Sequence, residues 1–164
     1  MKKLRLYLDT SVINFLFADD APEKRDITIE FFHSFVEQRV HDCFVSSVVI
    51  DEINKTEENA QRERLLNVVL QYRLPMLAVE PPDEVISLAD SYRERGVIPS
   101  SKIDDSMHVA LATVHQVDAL ISWNFRHMAN LNKERLIVAV NESLGYPYPL
   151  RVTTPLEVMG REDE

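Results

Sequence analysis

Short apolar runs alternate with amphipathic helical stretches along almost the whole of this chain, and that alternation narrows its possible architectures more than any other feature. Strands separated by helix-length connections pair in parallel, because a parallel return needs a crossover of a dozen or more residues. Residues 4–8 (Leu-Arg-Leu-Tyr-Leu) are mostly apolar with poor alternation, as expected of a strand covered on both faces. Further short runs at 44–45, 76–79 and 119–122 read the same way. The expected fold class is therefore α/β, a parallel sheet flanked by helices.

Between these runs lie the helical stripes. Residues 12–17 open a short helix capped by Thr10 or Ser11, and Asp19-Asp20-Ala21-Pro22 breaks it. Residues 23–39 place Ile27, Phe31, Phe32, Phe35 and Val36 on one face. Ser46-Ser47 leads into a helix through Ile53, and residues 56–72 turn Leu65, Leu66, Val69 and Leu70 inward. Residues 83–95 are helical by Val85, Ile86, Leu88, Ala89 and Tyr92, and Gly96 stops them. An Ala-rich helix covers 102–114, and residues 137–140 and Val152 read as edge strands. The pattern predicts one domain over residues 1–159 and a solvated tail over 160–164.

Composition excludes several classes. A chain of 164 residues with 45% hydrophobic content can bury a sizeable core, and eight Pro with only three Gly do not suit a fibrous or low-complexity chain. The longest apolar runs, such as 43–50, fall well short of the roughly 20 residues a bilayer crossing needs. The first residues carry no continuous apolar region or small-residue cleavage site, so a cytoplasmic protein is expected. A lone cysteine, Cys43, cannot close an internal disulfide, and its apolar surroundings predict a buried inert thiol. The net charge of −9 does not suit a protein that coats nucleic acid. It leaves room for a nuclease with local cations, or for an acidic surface that meets a basic protein.

Four side chains fall where a strand ends or a helix faces its end: Asp9, Glu52, Asp105 and Asn124. Ligands of open α/β sheets sit in the crevice beyond the carboxyl ends of the strands, where Asp9 and Asn124 are placed. Glu52 lies about one and a half turns into its helix and can lean over the same crevice. Ser101-Lys102-Ile103-Asp104 has capping-box spacing, which assigns Asp104 to the helix start and leaves Asp105 for the site. Asp105 then shares a stripe with His108, Val109 and Ala112, His108 being read as a packed residue rather than a ligand. Carboxylates and a carboxamide without a His or Cys pair form a hard-oxygen set suited to Mg²⁺ or Mn²⁺. Clustered carboxylates repel one another, and a divalent cation relieves that repulsion and can activate water against a phosphodiester.

The segments Leu8-Asp9-Thr10-Ser11-Val12-Ile13, Ser46-Ser47-Val48-Val49-Ile50-Asp51-Glu52-Ile53, Asp105-Ser106-Met107-His108-Val109-Ala110-Leu111-Ala112-Thr113 and Leu120-Ile121-Ser122-Trp123-Asn124-Phe125 come in an order and spacing that resembles the PIN-domain nucleases, and among them the VapC-like toxins of bacterial toxin–antitoxin systems. The resemblance implies a three-layer α/β/α sandwich with a central, mostly parallel sheet, and a Mg²⁺- or Mn²⁺-dependent endoribonuclease. By the same resemblance Asp9, Glu52 and Asp105 match the acidic metal positions, and Asn124 matches a fourth position that is often Asp. Ser122, with Thr10 or Ser11, matches hydroxyls that orient water or a carboxylate. A homodimer and an antitoxin with a basic segment are the implied partners, which the acidic charge suits. Lys102, Arg126 and His127, with Lys55 or Arg135, are candidate contacts to an RNA backbone, or ordinary surface charges.

Two other readings compete. An aspartyl phosphatase of the haloacid dehalogenase type also starts with a strand that ends on Asp, but needs a second Asp two residues later, where this chain has Ser11. A catalytically silent module that keeps the fold to bind RNA or protein is the alternative to an enzyme.

Overall fold

The computed structural model describes residues 2–160; the expected tail, apart from Gly160, lies outside them. The chain begins with β1 (Arg5–Leu8), whose Leu6, Tyr7 and Leu8 have no exposed surface. The helices α1 (Thr10–Asn14) and α2 (Pro22–Phe31) follow, joined by a 3₁₀ turn over Phe15–Phe17. α2 runs on as one wide π turn over Phe32–Val36, which keeps Phe32 and Val36 buried. Next come β2 (Asp42–Ser46), α3 (Ser47–Asn54), α4 (Asn59–Gln71) and the two-residue β3 (Met76–Leu77). The second half holds α5 (Pro82–Glu94), α6 (Ile103–Val114), β4 (Ala119–Ile121), α7 (Leu131–Ser143), β5 (Arg151–Thr153) and α8 (Pro155–Met159).

The five strands form one sheet in the order β3-β2-β1-β4-β5, and every pairing is parallel. β1 is the centre, flanked in register by β2 (Leu6 beside Cys43) and by β4 (Tyr7 beside Leu120). The chain grows outward from β1 to β3, then returns to the other side of β1 for β4. That reversal opens a crevice above the carboxyl ends of β1 and β4. The three-layer α/β/α arrangement and its parallel sheet are as expected.

Several local expectations are corrected. Residues 137–140 are not a strand but the middle of α7. Asn130 caps that helix by accepting from the Lys133 N–H at 2.9 Å, and Ile137, Val140 and Asn141 share its buried face. A short apolar run does not tell strand from helix, and the cap upstream decides it. α1 is capped by Asp9, whose side chain accepts from Val12 N, not by Thr10 or Ser11. α6 starts from Lys102 with no side-chain cap, so Ser101 does not cap it. On α4, Leu70 points to solvent at 75% exposure and Val68 takes the inward place. Gly96 does end α5, in the left-handed conformation at φ 72°.

Candidate active site

Asp9 is the first residue past β1, and its backbone N–H is tied to Ile121 O at the end of β4. The residue is 3% exposed, and its carboxylate is met by two hydroxyls and a backbone N–H. Ser11 Oγ donates to Oδ1 at 2.5 Å and Ser122 Oγ donates to Oδ2 at 2.5 Å, while Val12 N reaches Oδ1 at 3.4 Å. The hydroxyls flanking the two strand ends therefore aim one carboxylate. Burial pushes the Asp9 carboxyl above its ordinary range; the His108 charge and the two serines oppose this, and Asp105 reinforces it.

Glu52 comes to the same crevice from α3. Its Oε1 accepts from Thr10 Oγ1 at 2.7 Å and meets His108 Nε2 at 2.5 Å. Burial raises its proton affinity, but the His108 bond and charge, the Thr10 hydroxyl and Lys55 outweigh it, so the carboxyl sits below its ordinary range. His108, fully buried on α6, bonds through Nδ1 to the Tyr7 hydroxyl at 2.7 Å, and that hydroxyl lies 2.6 Å from Ser46 Oγ. Burial alone would lower the His108 pKa; Glu52, Asp9 and Asp105 together raise it. The reading of His108 as a packed residue holds, with a specific partner on each ring nitrogen.

Asp105 is half-buried on α6, and its Oδ2 accepts from Asn124 Nδ2 at 3.1 Å. The orientation of the Asn124 amide follows from its neighbours, since its Oδ1 accepts from His127 N at 3.1 Å. Both ends of Asn124 are thus engaged within the protein: it holds Asp105 and folds the loop after β4. Burial pushes the Asp105 carboxyl up and Glu52 adds to this, against the charges of His108, His127 and Lys102. Asp104, one residue earlier, faces Lys55 Nζ at 3.6 Å.

Glu52, Asp105 and Asn124 line an open cleft of about 600 Å³ with Lys55, Lys102 and Asp104. Of the candidate backbone contacts, Lys55 and Lys102 line it. Arg126 is exposed and His127 half-buried on the adjoining loop, and Arg135 lies exposed on α7. The resemblance assigned Ser122, with Thr10 or Ser11, to orienting a carboxylate, as they do here; the links through His108, Tyr7 and Ser46 and from Asn124 to Asp105 were missed. Hydroxyls at 10, 11, 46 and 122, all at strand ends, were the available signal.

Among the described residues no three His, Cys, Asp or Glu side chains form a ready-made cage for a metal ion. The donor chemistry nonetheless suits a hard divalent cation. Asp9 and Asp105 both carry proton affinities raised chiefly by burial and further by a like charge, a cost that a nearby cation would offset. Glu52 Oε2 and Asp105 Oδ1 accept no hydrogen bond among the described residues.

No family model matches the sequence, and no curated protein matches it. A chain of the VapBC2 complex from Rickettsia felis, solved bound to a DNA fragment from its promoter, matches in structure with a TM-score of 0.56. The match spans 92% of this chain and 98% of that one at 15% identity. The chain has the PIN-like fold. A chain of VapBC-5, from the VapBC family of toxin–antitoxin systems of Mycobacterium tuberculosis, gives a TM-score of 0.49 at 15% identity over the same shares. No helix among the described residues is long and apolar enough to cross a membrane.

Proposed function

We propose that this protein is a divalent-metal-dependent endoribonuclease and the toxin of a toxin–antitoxin pair, acting in the cytoplasm. The observation that supports the reading is Asp9 at the end of β1, where the sheet reverses direction, with Glu52 and Asp105 lining the adjoining cleft and Asp9 and Asp105 raised in proton affinity chiefly by burial. Such a set of oxygen ligands suits Mg²⁺ or Mn²⁺, held directly or through water by these three carboxylates. When bound, the ion activates water and offsets charge on a phosphodiester.

The chain's own residues supply orientation. Ser11 and Ser122 fix Asp9, Thr10 and His108 fix Glu52, and Asn124 fixes Asp105. A proton between Glu52 Oε1 and His108 Nε2 keeps Glu52 anionic. Lys55 and Lys102 on the cleft wall would meet the RNA backbone. The VapBC complex of like fold supports an antitoxin as partner, and the charge of −9 suits one with a basic segment. A homodimer belongs to the same reading.

The test is cleavage of a pool of short single-stranded RNAs with Mg²⁺, with Mn²⁺ and with chelator, using wild type, Asp9→Asn, Asp105→Asn and Asp104→Asn. Metal-dependent cleavage lost in the first two variants and kept in Asp104→Asn is expected. No cleavage, together with no shift in melting on adding metal, would replace the enzyme by a silent binding module.

A further inference from the structure

Beyond the acidic cleft, on the loop after Asn124, the chain exposes an aromatic side chain that its own core does not need. Phe125 is 43% exposed, although it directly follows the residue that holds Asp105. Its ring stands edge-on to the buried Trp123 at 5.9 Å, and Trp123 in turn lies 5.9 Å from Phe15. Lys24 of α2 places its ammonium 4.8 Å from the Phe125 centroid and 5.8 Å from those of Trp123 and Phe15. No carboxylate lies within ion-pair distance of Lys24 among the described residues.

The platform is built, not accidental. Trp123 is anchored at both ends, its Nε1 donating to Thr28 Oγ1 at 2.9 Å and its backbone N–H to Ser11 Oγ at 2.9 Å. Asn130 Nδ2 donates to Phe125 O at 2.5 Å and closes the loop. An exposed ring on a rigid support, beside a half-buried cation without an acidic partner, presents the two chemistries of a nucleotide-sized ligand. A base stacks on the ring and a phosphate meets the ammonium. Exposed Arg126 next in the chain adds a second cation. A basic peptide, the partner suited to the rest of this acidic surface, would be repelled here.

We propose that Phe125 and Lys24 form a stacking subsite for one base of single-stranded RNA, next to the phosphodiester presented to Asp9, Glu52 and Asp105. The subsite rests on the nuclease reading for its place beside the reaction, but its binding is measurable without cleavage. Phe125 directly follows Asn124, a wall residue of the cleft that Lys55 and Lys102 also line, which sets the ring next to the end of that cleft formed by Asn124.

The experiment is equilibrium binding, in chelator, of a short oligoribonucleotide and of its variants with an abasic site at each position in turn. With wild type, one abasic position is expected to weaken binding between about 5- and 150-fold, the range of a lost base–aromatic stack. Phe125→Ala should weaken the intact strand to a like degree and erase that positional penalty, while Phe125→Tyr keeps it. Lys24→Gln should lower the steepness of the logarithmic salt dependence by about 0.7, the loss of one phosphate contact on a single strand. Thermal melting checks that each variant is folded. An unchanged abasic profile in folded Phe125→Ala overturns the subsite, as does failure of folded wild type to bind any strand. Positional binding without cleavage in Mg²⁺ or Mn²⁺ would instead overturn the nuclease reading and leave the subsite standing.

Discussion

His108 Nε2 lies 2.5 Å from Glu52 Oε1 while the other ring nitrogen lies 2.7 Å from the Tyr7 hydroxyl, so a single buried imidazole joins the central strand to the acidic cleft. The line continues to Ser46 Oγ at 2.6 Å from the same hydroxyl, reaching the end of β2. Two strands, β1 and β2, and two helices, α3 and α6, thus meet in one chain of hydrogen bonds, and no buried side-chain polar atom among the described residues is left without a partner.

That completeness makes Tyr7→Phe costly. The substitution keeps the ring and its packing but removes the group that bonds both His108 and Ser46, both of which stay buried. A buried polar group stripped of its partner costs about 1–3 kcal/mol. Urea unfolding should show a loss of that size at an unchanged slope. A loss below a few tenths of a kcal/mol would mean that the Tyr7 hydroxyl does not hold the network.

Asn124 invites the opposite change. In Asn124→Asp a carboxylate replaces the amide that donates to Asp105 at 3.1 Å, converting an attraction into a repulsion between like charges. Without metal the variant should melt a few degrees below wild type, about 1–2 kcal/mol at the 2–4 °C per kcal/mol usual for this size. A divalent ion relieves the added repulsion, so Mn²⁺ should raise the melting temperature more in the variant than in wild type. Equal shifts in the two proteins, read by differential scanning fluorimetry with and without Mn²⁺, would place the ion elsewhere.

The sheet was legible because its central strands are apolar on both faces: Leu6, Tyr7, Leu8 and Leu120, Ile121 could go nowhere but the interior. Where the apolar run is short, as at 137–140, periodicity alone misled, and the cap at Asn130 seven residues upstream carried the decisive information. The four candidate positions were legible as strand-end and helix-face polar residues. The role of the hydroxyls at 10, 11 and 122 came only from the resemblance, and which carboxylate each serves was not legible. That Thr10 would serve Glu52, and Asn124 would serve Asp105, depends on distances across 42 and 19 residues of chain that no local pattern encodes. The preference for Asp105 over Asp104 rested on a cap at Ser101 that does not form; the observed difference is that Asp104 faces Lys55 and Asp105 faces Asn124.

Cys43 offers a probe of the fold that is independent of the cleft. Burial pushes its thiol up to about 12, so at pH 8 the folded protein holds it as the unreactive thiol. Labelling with a chromogenic disulfide at pH 8 should be slow in buffer and go to completion in denaturant. The sign of the linked stability follows. A group whose pKa is raised in the folded state stabilises fully below its unfolded pKa of about 8.5, and that contribution falls away as pH rises toward 12. Stability should therefore decline above pH 9 in wild type more steeply than in Cys43→Ala. Fast labelling in buffer would show that β2 opens away from its neighbours in the native state.

Asn141 ties three helices together away from the cleft, and its loss tests whether that polar cluster acts as a unit. The side chain is fully buried on α7, its Oδ1 accepts from the Tyr92 hydroxyl on α5 at 2.5 Å, and its Nδ2 donates to Thr113 Oγ1 on α6 at 3.1 Å. Asn141→Ala leaves both partners short of a bond and opens a void, for an expected loss of about 2–4 kcal/mol. Tyr92→Phe alone removes one hydroxyl and should cost less, about 1–3 kcal/mol. Because the two share a single hydrogen bond, the double variant should fall short of the sum by 0.5 kcal/mol or more, in the range about 0.5–3 kcal/mol seen for contacting pairs. Strict additivity in a double-mutant cycle by urea unfolding would mean that the bond contributes nothing net, and that α5, α6 and α7 are held by their apolar faces alone.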